Sequence, residues 1–72
     1  MKYTFEHSIQ FRDGSSTLPY RSTRYWKTVR GALRAAEIHT EAIGYYYEAG
    51  TIALHALVIR DNEGRFVTNE AA

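Results

Sequence analysis

The strict alternation of side chains near the N-terminus is the feature that most constrains the fold of this chain. Odd-numbered residues are apolar or aromatic and even-numbered residues are polar: Tyr3, Phe5, His7, Ile9 and Phe11 against Thr4, Glu6, Ser8, Gln10 and Arg12. A period of two is typical of a β-strand that has one face on a core and the other in water. A second layer is therefore needed to cover the odd-numbered face.

A helical pattern further along the chain predicts that layer. Thr28 is a good N-cap residue, and Gly44 is a natural stop. Between them, apolar residues recur at helical spacing and charged residues occupy the opposite side: Val29, Ala32, Leu33, Ala36 and Ile43 against Arg30, Arg34, Glu37 and Glu41. The alanine side chains on the buried stripe are short, so we expect the helix to lie close to a sheet. Gly31 weakens a helix interior and is expected to mark a close backbone contact.

The remaining segments predict further strands. Tyr20–Trp26 is expected to form a second, outer strand, and Thr51–Arg60 is apolar on both parities, which favours a central strand. The turn "DNEG" leads to a return strand over Arg65–Asn69. Tyr45–Glu48 is expected to be a short strand, with a continuation of the helix through Tyr47 as the alternative. The predicted fold class is α+β, with a single amphipathic helix packed on an antiparallel sheet of four to five strands in the order β-β-α-β-β-β.

Size and composition limit the kind of protein. The 72 residues are expected to form a single small α+β domain, and the absence of cysteine removes disulfides and thiolate metal sites. A domain this small gains burial by self-association, so a homodimer is an open alternative. Nine basic and eight acidic residues nearly cancel, and no apolar run approaches the roughly 20 residues of a membrane span. With no export signal in "MKYTFEH", we expect a cytoplasmic protein that has no membrane partner and no cofactor.

The sequence offers few groups for catalysis. The three histidines, His7, His39 and His55, have none of the spacings that place two metal ligands on one helix face. They fit better as partly buried, hydrogen-bonded side chains. No Gly-x-Ser-x-Gly elbow and no glycine-rich phosphate loop is present. We therefore expect a protein that is not an enzyme and has no catalytic or metal-binding residue.

A basic and aromatic segment, residues 20–36, is the strongest candidate for a binding surface. It contains five cations, two adjacent rings and no acid: Arg21, Arg24, Lys27, Arg30 and Arg34, with Tyr25 and Trp26. Arginine beside aromatic rings suits nucleic-acid bases as well as the acidic groups of a protein. The alternative is that the charges divide between a sheet edge and the helix, or that acids such as Glu37 and Glu41 neutralise them. Tyr45, Tyr46 and Tyr47 form a second candidate patch for a partner, since tyrosine is enriched at protein interfaces.

Two stretches resemble a known class of small proteins. The Ala-rich helix "TVRGALRAAEIHTEAI", followed by the hairpin "VIRDNEGRFV" and a short polar tail, is similar in layout to small phage and mobile-element proteins of the anti-CRISPR type. Some members of that class inhibit type I surveillance complexes. The resemblance implies a non-enzymatic inhibitor that binds a host protein or ribonucleoprotein complex and so blocks a nucleic-acid-processing machine of the CRISPR type. The alternative is a small nucleic-acid-binding protein that uses residues 20–36.

Overall fold

One helix lies on one face of a four-stranded antiparallel sheet. The computed structural model describes the backbone of residues 1–71 and the side chains of residues 1–67. The elements are β1 (Tyr3–Phe11), β2 (Tyr20–Arg21), α1 (Val29–Gly44), β3 (Ile52–Asp61) and β4 (Phe66–Ala71). The strands lie side by side in the order β2-β1-β3-β4, which confirms the predicted α+β class. Among the described residues, α1 lacks the length and hydropathy of a membrane-spanning helix.

The central pair of strands determines which side chains face the helix. Phe5 lies opposite Ile59 and His7 lies opposite Leu57, so the odd-numbered residues of β1 and β3 share one face. These four residues are buried. The even-numbered face carries no helix within residues 1–71, and we term it the open face.

Small residues on α1 let it approach the sheet closely. Ala32 and Ala36 are 0% exposed and form the core together with Phe5, Leu57 and Ile59. The buried alanine stripe and the close packing predicted from it are confirmed.

The start of α1 follows the prediction. The hydroxyl oxygen of Thr28 accepts a hydrogen bond from the Gly31 N–H at 3.0 Å, so Thr28 is the N-cap. A Cβ added at Gly31 would lie 3.1 Å from that hydroxyl oxygen and 3.5 Å from Cδ1 of Trp26. Gly31 therefore marks the expected close contact.

Polar side chains complete the hydrogen bonding along the outer edge of β1. The predicted strand Tyr20–Trp26 is shorter in the structure: β2 contains two residues, and Trp26 forms a separate bridge to Tyr3. Between them, the Ser22 hydroxyl accepts a hydrogen bond from the Phe5 N–H at 3.1 Å, while the Ser22 N–H donates to the Phe5 carbonyl at 2.9 Å. The Ser22 hydroxyl takes the place of a backbone carbonyl of a neighbouring strand. The chain after β2 can therefore leave the sheet while the Phe5 amide stays hydrogen-bonded.

The predicted strand Tyr45–Glu48 is wrong, and so is the alternative of a helix through Tyr47. The helix ends at Gly44 and a turn follows. The first two amides after Gly44 donate to carbonyls of the last helical turn at 3.4 and 3.0 Å. Because these amides complete the helix C-terminus, they are not available to a sheet. The sheet has four strands, the lower number of the predicted range.

Two leucines on opposite faces of β3 test this assignment of the core. Leu57→Ala is expected to lower the free energy of unfolding by about 2–5 kcal/mol, because it opens a cavity beneath α1. Leu54→Ala removes the same atoms from the open face, where Leu54 is only partly buried, and is expected to cost much less. Urea unfolding measures both. Equal losses would contradict a core confined to the helix side.

Candidate functional site

The basic segment divides between two surfaces of the molecule. Arg21 lies opposite Glu6 in the β1–β2 pair, on the open face. Its guanidinium is 3.4 Å from a Glu6 carboxylate oxygen that also bonds Arg60. Tyr25 lines a groove of about 340 Å³ together with Arg21 and the buried Asp61. Arg21 and Tyr25 therefore belong to a surface apart from the helix.

Three of the five cations lie in the first turn of α1 or in the segment just before it, without a carboxylate partner among the described side chains. Arg34 pairs with Glu37 at 3.6 Å on the helix surface. Arg24, Lys27 and Arg30 are exposed and form no ion pair within the side chains of residues 1–67. We term these three residues the basic end. The local acids neutralise Arg21 and Arg34 and leave the basic end uncompensated.

The basic end is electrostatically unfavourable for the isolated helix. The first amides of a helix carry a partial positive charge, so acidic side chains in the first turn stabilise it and basic ones do not. The first turn of α1 has no acid, and Arg30 stands there instead. Lys27 immediately precedes the Thr28 cap, which adds a second positive charge at the same point. An anionic group on a partner would relieve this repulsion.

Trp26 supports the basic end. Its ring is partly buried, with its centroid 5.6 Å from that of Phe5. The guanidinium carbon of Arg24 lies 5.4 Å from the Trp26 ring centroid, which is a cation–π contact. Trp26 and Arg24 are both predicted partner contacts, and in the structure the Trp26 ring holds Arg24 in place.

The second predicted patch lies at the other end of the helix. Tyr45 and Tyr46 are each 82% exposed, whereas Tyr47 is 38% exposed and packs edge-on against Phe11 at 5.3 Å. The 16 residues of α1 span about 24 Å at 1.5 Å per residue. The tyrosines and the basic end are therefore separate surfaces.

The three histidines lie next to one another, and the expected hydrogen bonding is present between His7 and His55. Nε2 of His7 on β1 and Nδ1 of His55 on β3 are 3.0 Å apart and share a hydrogen bond. The ring centroids are 5.2 Å apart and the planes differ by 14°, so the two rings lie end to end. His39 on α1 is edge-on to His7 at 5.3 Å and stacks on Tyr20 at 4.3 Å. Residues from four elements thus meet in one imidazole cluster.

A groove of about 160 Å³ lies beside this cluster, between α1 and the outer edge of β1, and we term it the histidine groove. Its lining residues are His7, Ile9, Thr17, Leu18, Tyr20, His39, Ile43 and Tyr47. Burial, and then the nearby His39 and His55, lower the pKa of His7 to about 4. Burial also lowers the pKa of His39. Both rings are therefore neutral near pH 7.

Part of this cluster has a signal in the sequence. His7 falls on the apolar parity of β1, and His39 follows Ala36 by three residues, on the buried stripe of α1. Both positions face the same interface between helix and sheet. His55 joins them only through the register of β3 on β1, which no local pattern predicts. Within residues 1–67, no three His, Asp or Glu side chains are grouped closely enough to hold a metal ion.

The buried histidines predict a loss of stability on mild acidification. The folded-state pKa of His7, about 4, lies below its ordinary value of 6.5, so the unfolded chain takes up a proton that the folded chain does not. The contribution of neutral His7 to the free energy of unfolding is fully present above pH 6.5 and is lost as the pH drops toward 4. The total loss is on the order of 3 kcal/mol, at about 1.4 kcal/mol per pKa unit. Urea unfolding at a series of pH values measures this slope.

His7→Gln is the control for the pH dependence. Glutamine keeps a group that hydrogen-bonds to His55, but it does not titrate. We expect a flatter stability profile for this variant above about pH 5, where carboxylates stay largely ionised. A profile as steep as that of the wild type would assign the pH dependence to other groups.

The assignment of a function has to come from the geometry of this chain. No protein-family model, no curated protein and no solved structure matches it. The basic end, the exposed tyrosines and the histidine groove are the three features on which a function can rest.

Proposed function

We propose that the protein is a non-enzymatic binding module that occupies a negatively charged surface of a larger protein and thereby blocks it. Its contact is the basic end, Arg24, Lys27 and Arg30. The observation that carries the proposal is that the first turn of α1 has no acid, while exposed cations stand in it and just before it without a carboxylate partner in residues 1–67. An arrangement that opposes the stability of the free protein, yet stays exposed, is explained by a partner that supplies the missing negative charge.

The energetic argument favours binding over an incidental charge pattern. A charge near a helix end typically changes stability by about 0.3–1 kcal/mol. A domain of this size has only a small stability margin, so the two cations at the helix start, Lys27 and Arg30, are a noticeable cost. The planar guanidinium groups of Arg24 and Arg30 also suit two-point hydrogen bonding to a carboxylate. These properties fit an acidic patch on a protein.

The same geometry disfavours single-stranded nucleic acid as the partner. Proteins that bind single strands stack bases on exposed aromatic rings along a basic groove. Here Trp26 is partly buried and in contact with Arg24, while Tyr25 lies with Arg21 on the other surface. The remaining positive charge is a compact cluster rather than a stripe that could follow a phosphate backbone.

The resemblance to anti-CRISPR proteins names the first partner to test. Under this proposal the protein acts in the cytoplasm and docks its basic end on an acidic subunit of a type I surveillance complex. The resemblance in layout supports this choice of partner, and the charge arrangement supports the choice of contact.

Reversal of one charge separates binding from stability. Arg30→Glu puts an acid into the first turn of α1, so we expect the free energy of unfolding to rise by about 0.3–1 kcal/mol. The same change removes one cation of the basic end and is expected to weaken binding at least about tenfold, or about 1.4 kcal/mol. Urea unfolding measures the first effect, and surface plasmon resonance with the purified complex measures the second.

Arg12→Glu is the matched control because it makes the same charge change in the exposed turn after β1. That turn lies near the C-terminal end of α1, where Phe11 contacts Tyr47. We expect binding to be unchanged in this variant. Equal loss in both variants would mean that net charge alone drives association, and full binding by Arg30→Glu would remove the basic end as the contact.

A gel-shift experiment addresses nucleic-acid binding, the second candidate function. Contacts to phosphates release counterions, so such binding is strongest at low salt and falls steeply as salt is raised. We expect no retarded band with single- or double-stranded probes at about 50 mM salt. A band that appears there and disappears at higher salt would establish the basic end as a phosphate contact instead.

A further inference from the structure

The histidine groove lies toward the C-terminal end of α1, and the proposed function makes no use of it. His7 lines the groove although the residue is only 3% exposed. Its Nε2 is engaged by His55, while its Nδ1 forms no hydrogen bond with a described residue. Every fully buried polar side-chain atom among the described residues has a partner. Nδ1 of His7 is therefore not sealed, and the groove is the space that it can reach.

The hydrogen bond between His7 and His55 determines whether Nδ1 of His7 is a donor or an acceptor toward a ligand. In the neutral pair, only one proton lies between Nε2 of His7 and Nδ1 of His55. When His55 donates that proton, His7 carries its own proton on Nδ1 and presents an N–H donor to the groove. When His7 donates, its Nδ1 is an acceptor instead. A ligand that accepts a hydrogen bond selects the first arrangement.

His39 supplies the second polar group of the groove. Its ring stacks on Tyr20 with planes 16° apart, and it lies edge-on to His7. A protonated imidazole over the face of a tyrosine gains a cation–π interaction, so the stack suits the charged ring as well as the neutral one. The residues that line the groove include no carboxylate to compensate such a charge.

The titratable groups near the groove come from every element packed around it. They are His7 from β1, Tyr20 from β2, His39 from α1, His55 from β3 and Tyr47 from the turn after α1. None of them is a carboxylate. An anion that enters the groove therefore meets neutral donors and no repelling acid.

We propose that the histidine groove binds the carboxylate of a small organic acid that has an apolar body. The carboxylate accepts a hydrogen bond from the Nδ1–H of His7, and His39 takes up a proton from solvent as the acid binds. The apolar body lies against Ile43 and Tyr47. The volume of about 160 Å³ holds roughly five water molecules at about 30 Å³ each, which suits a ligand of the size of benzoate.

Benzoate and its neutral analogue benzamide test the proposal by NMR of the histidine side chains in ¹⁵N-labelled protein. We expect benzoate to shift the imidazole resonances of His7 and His39. Its affinity should increase as the pH falls from about 8 to 6, by up to about tenfold per pH unit, because one proton is taken up. Benzamide is expected to bind at least about tenfold more weakly, since it has no charge to offer. Equal binding of the two probes, unshifted imidazole resonances or a pH-independent affinity would each overturn the proposal.

Two variants separate this site from the proposed function. His39→Phe keeps an aromatic ring on Tyr20 but removes both nitrogens, so benzoate should bind at least about tenfold more weakly and without pH dependence. Arg30→Glu, which tests the basic end, should leave benzoate binding unchanged. Should His39→Phe fail to fold, the pH series on the wild type decides the question alone.

A capped glutamate, acetylated and amidated, distinguishes a free acid from an acidic side chain of a protein. It carries the same carboxylate on a polar backbone. Tighter binding of benzoate than of the capped glutamate supports the small acid. Tighter binding of the capped glutamate would overturn that assignment in favour of a protein side chain.

Discussion

The close contact of Ala32 and Ala36 with the β1–β3 pair is the constraint on which the rest of the structure depends. Both alanines are fully buried against a core cluster that includes Phe5 and Ile59. Because their side chains are so short, the helix lies close to the sheet and little space remains for further apolar side chains between the two layers. The two buried alanines lie in the N-terminal half of α1, whereas toward its C-terminal end the buried Ile9 lies beside His7 and His39.

Imidazole rings share that second half of the interface with Ile9 and Ile43, and their presence has a consequence. A polar group in an interior is tolerated when it is paired and kept neutral, and His7 meets both conditions through its bond to His55 and its lowered pKa. An all-apolar interface would be insensitive to pH in the neutral range. The imidazole interface instead couples helix docking to protonation, and it places two histidines at the edge of an otherwise largely apolar groove.

Local features of the sequence predict β1 and α1 well, because each period is displayed by consecutive residues of one segment. The pairing of Arg34 with Glu37 is local in the same sense. The pairing of Arg21 with Glu6 and the meeting of His55 with His7 depend on strand registers, and no hairpin turn joins β1 directly to β3. The prediction for the segment after Gly44 is wrong for another reason. Three consecutive tyrosines favour a strand, but the amides of Tyr45 and Tyr46 donate to carbonyls of the last helical turn instead.

Positive charge is unfavourable at both ends of α1, although the two ends are built differently. At the basic end, exposed cations repel the positive helix terminus, and at the histidine groove, burial opposes protonation of His7 and His39. An anion at either end removes the local penalty. The contact of Ala32 and Ala36 with the sheet lies between the two ends and holds the helix in place. The described residues contain no connection by which an anion at one end would change the other. The two proposed anion contacts are therefore independent of each other, on a protein whose net charge is only +1.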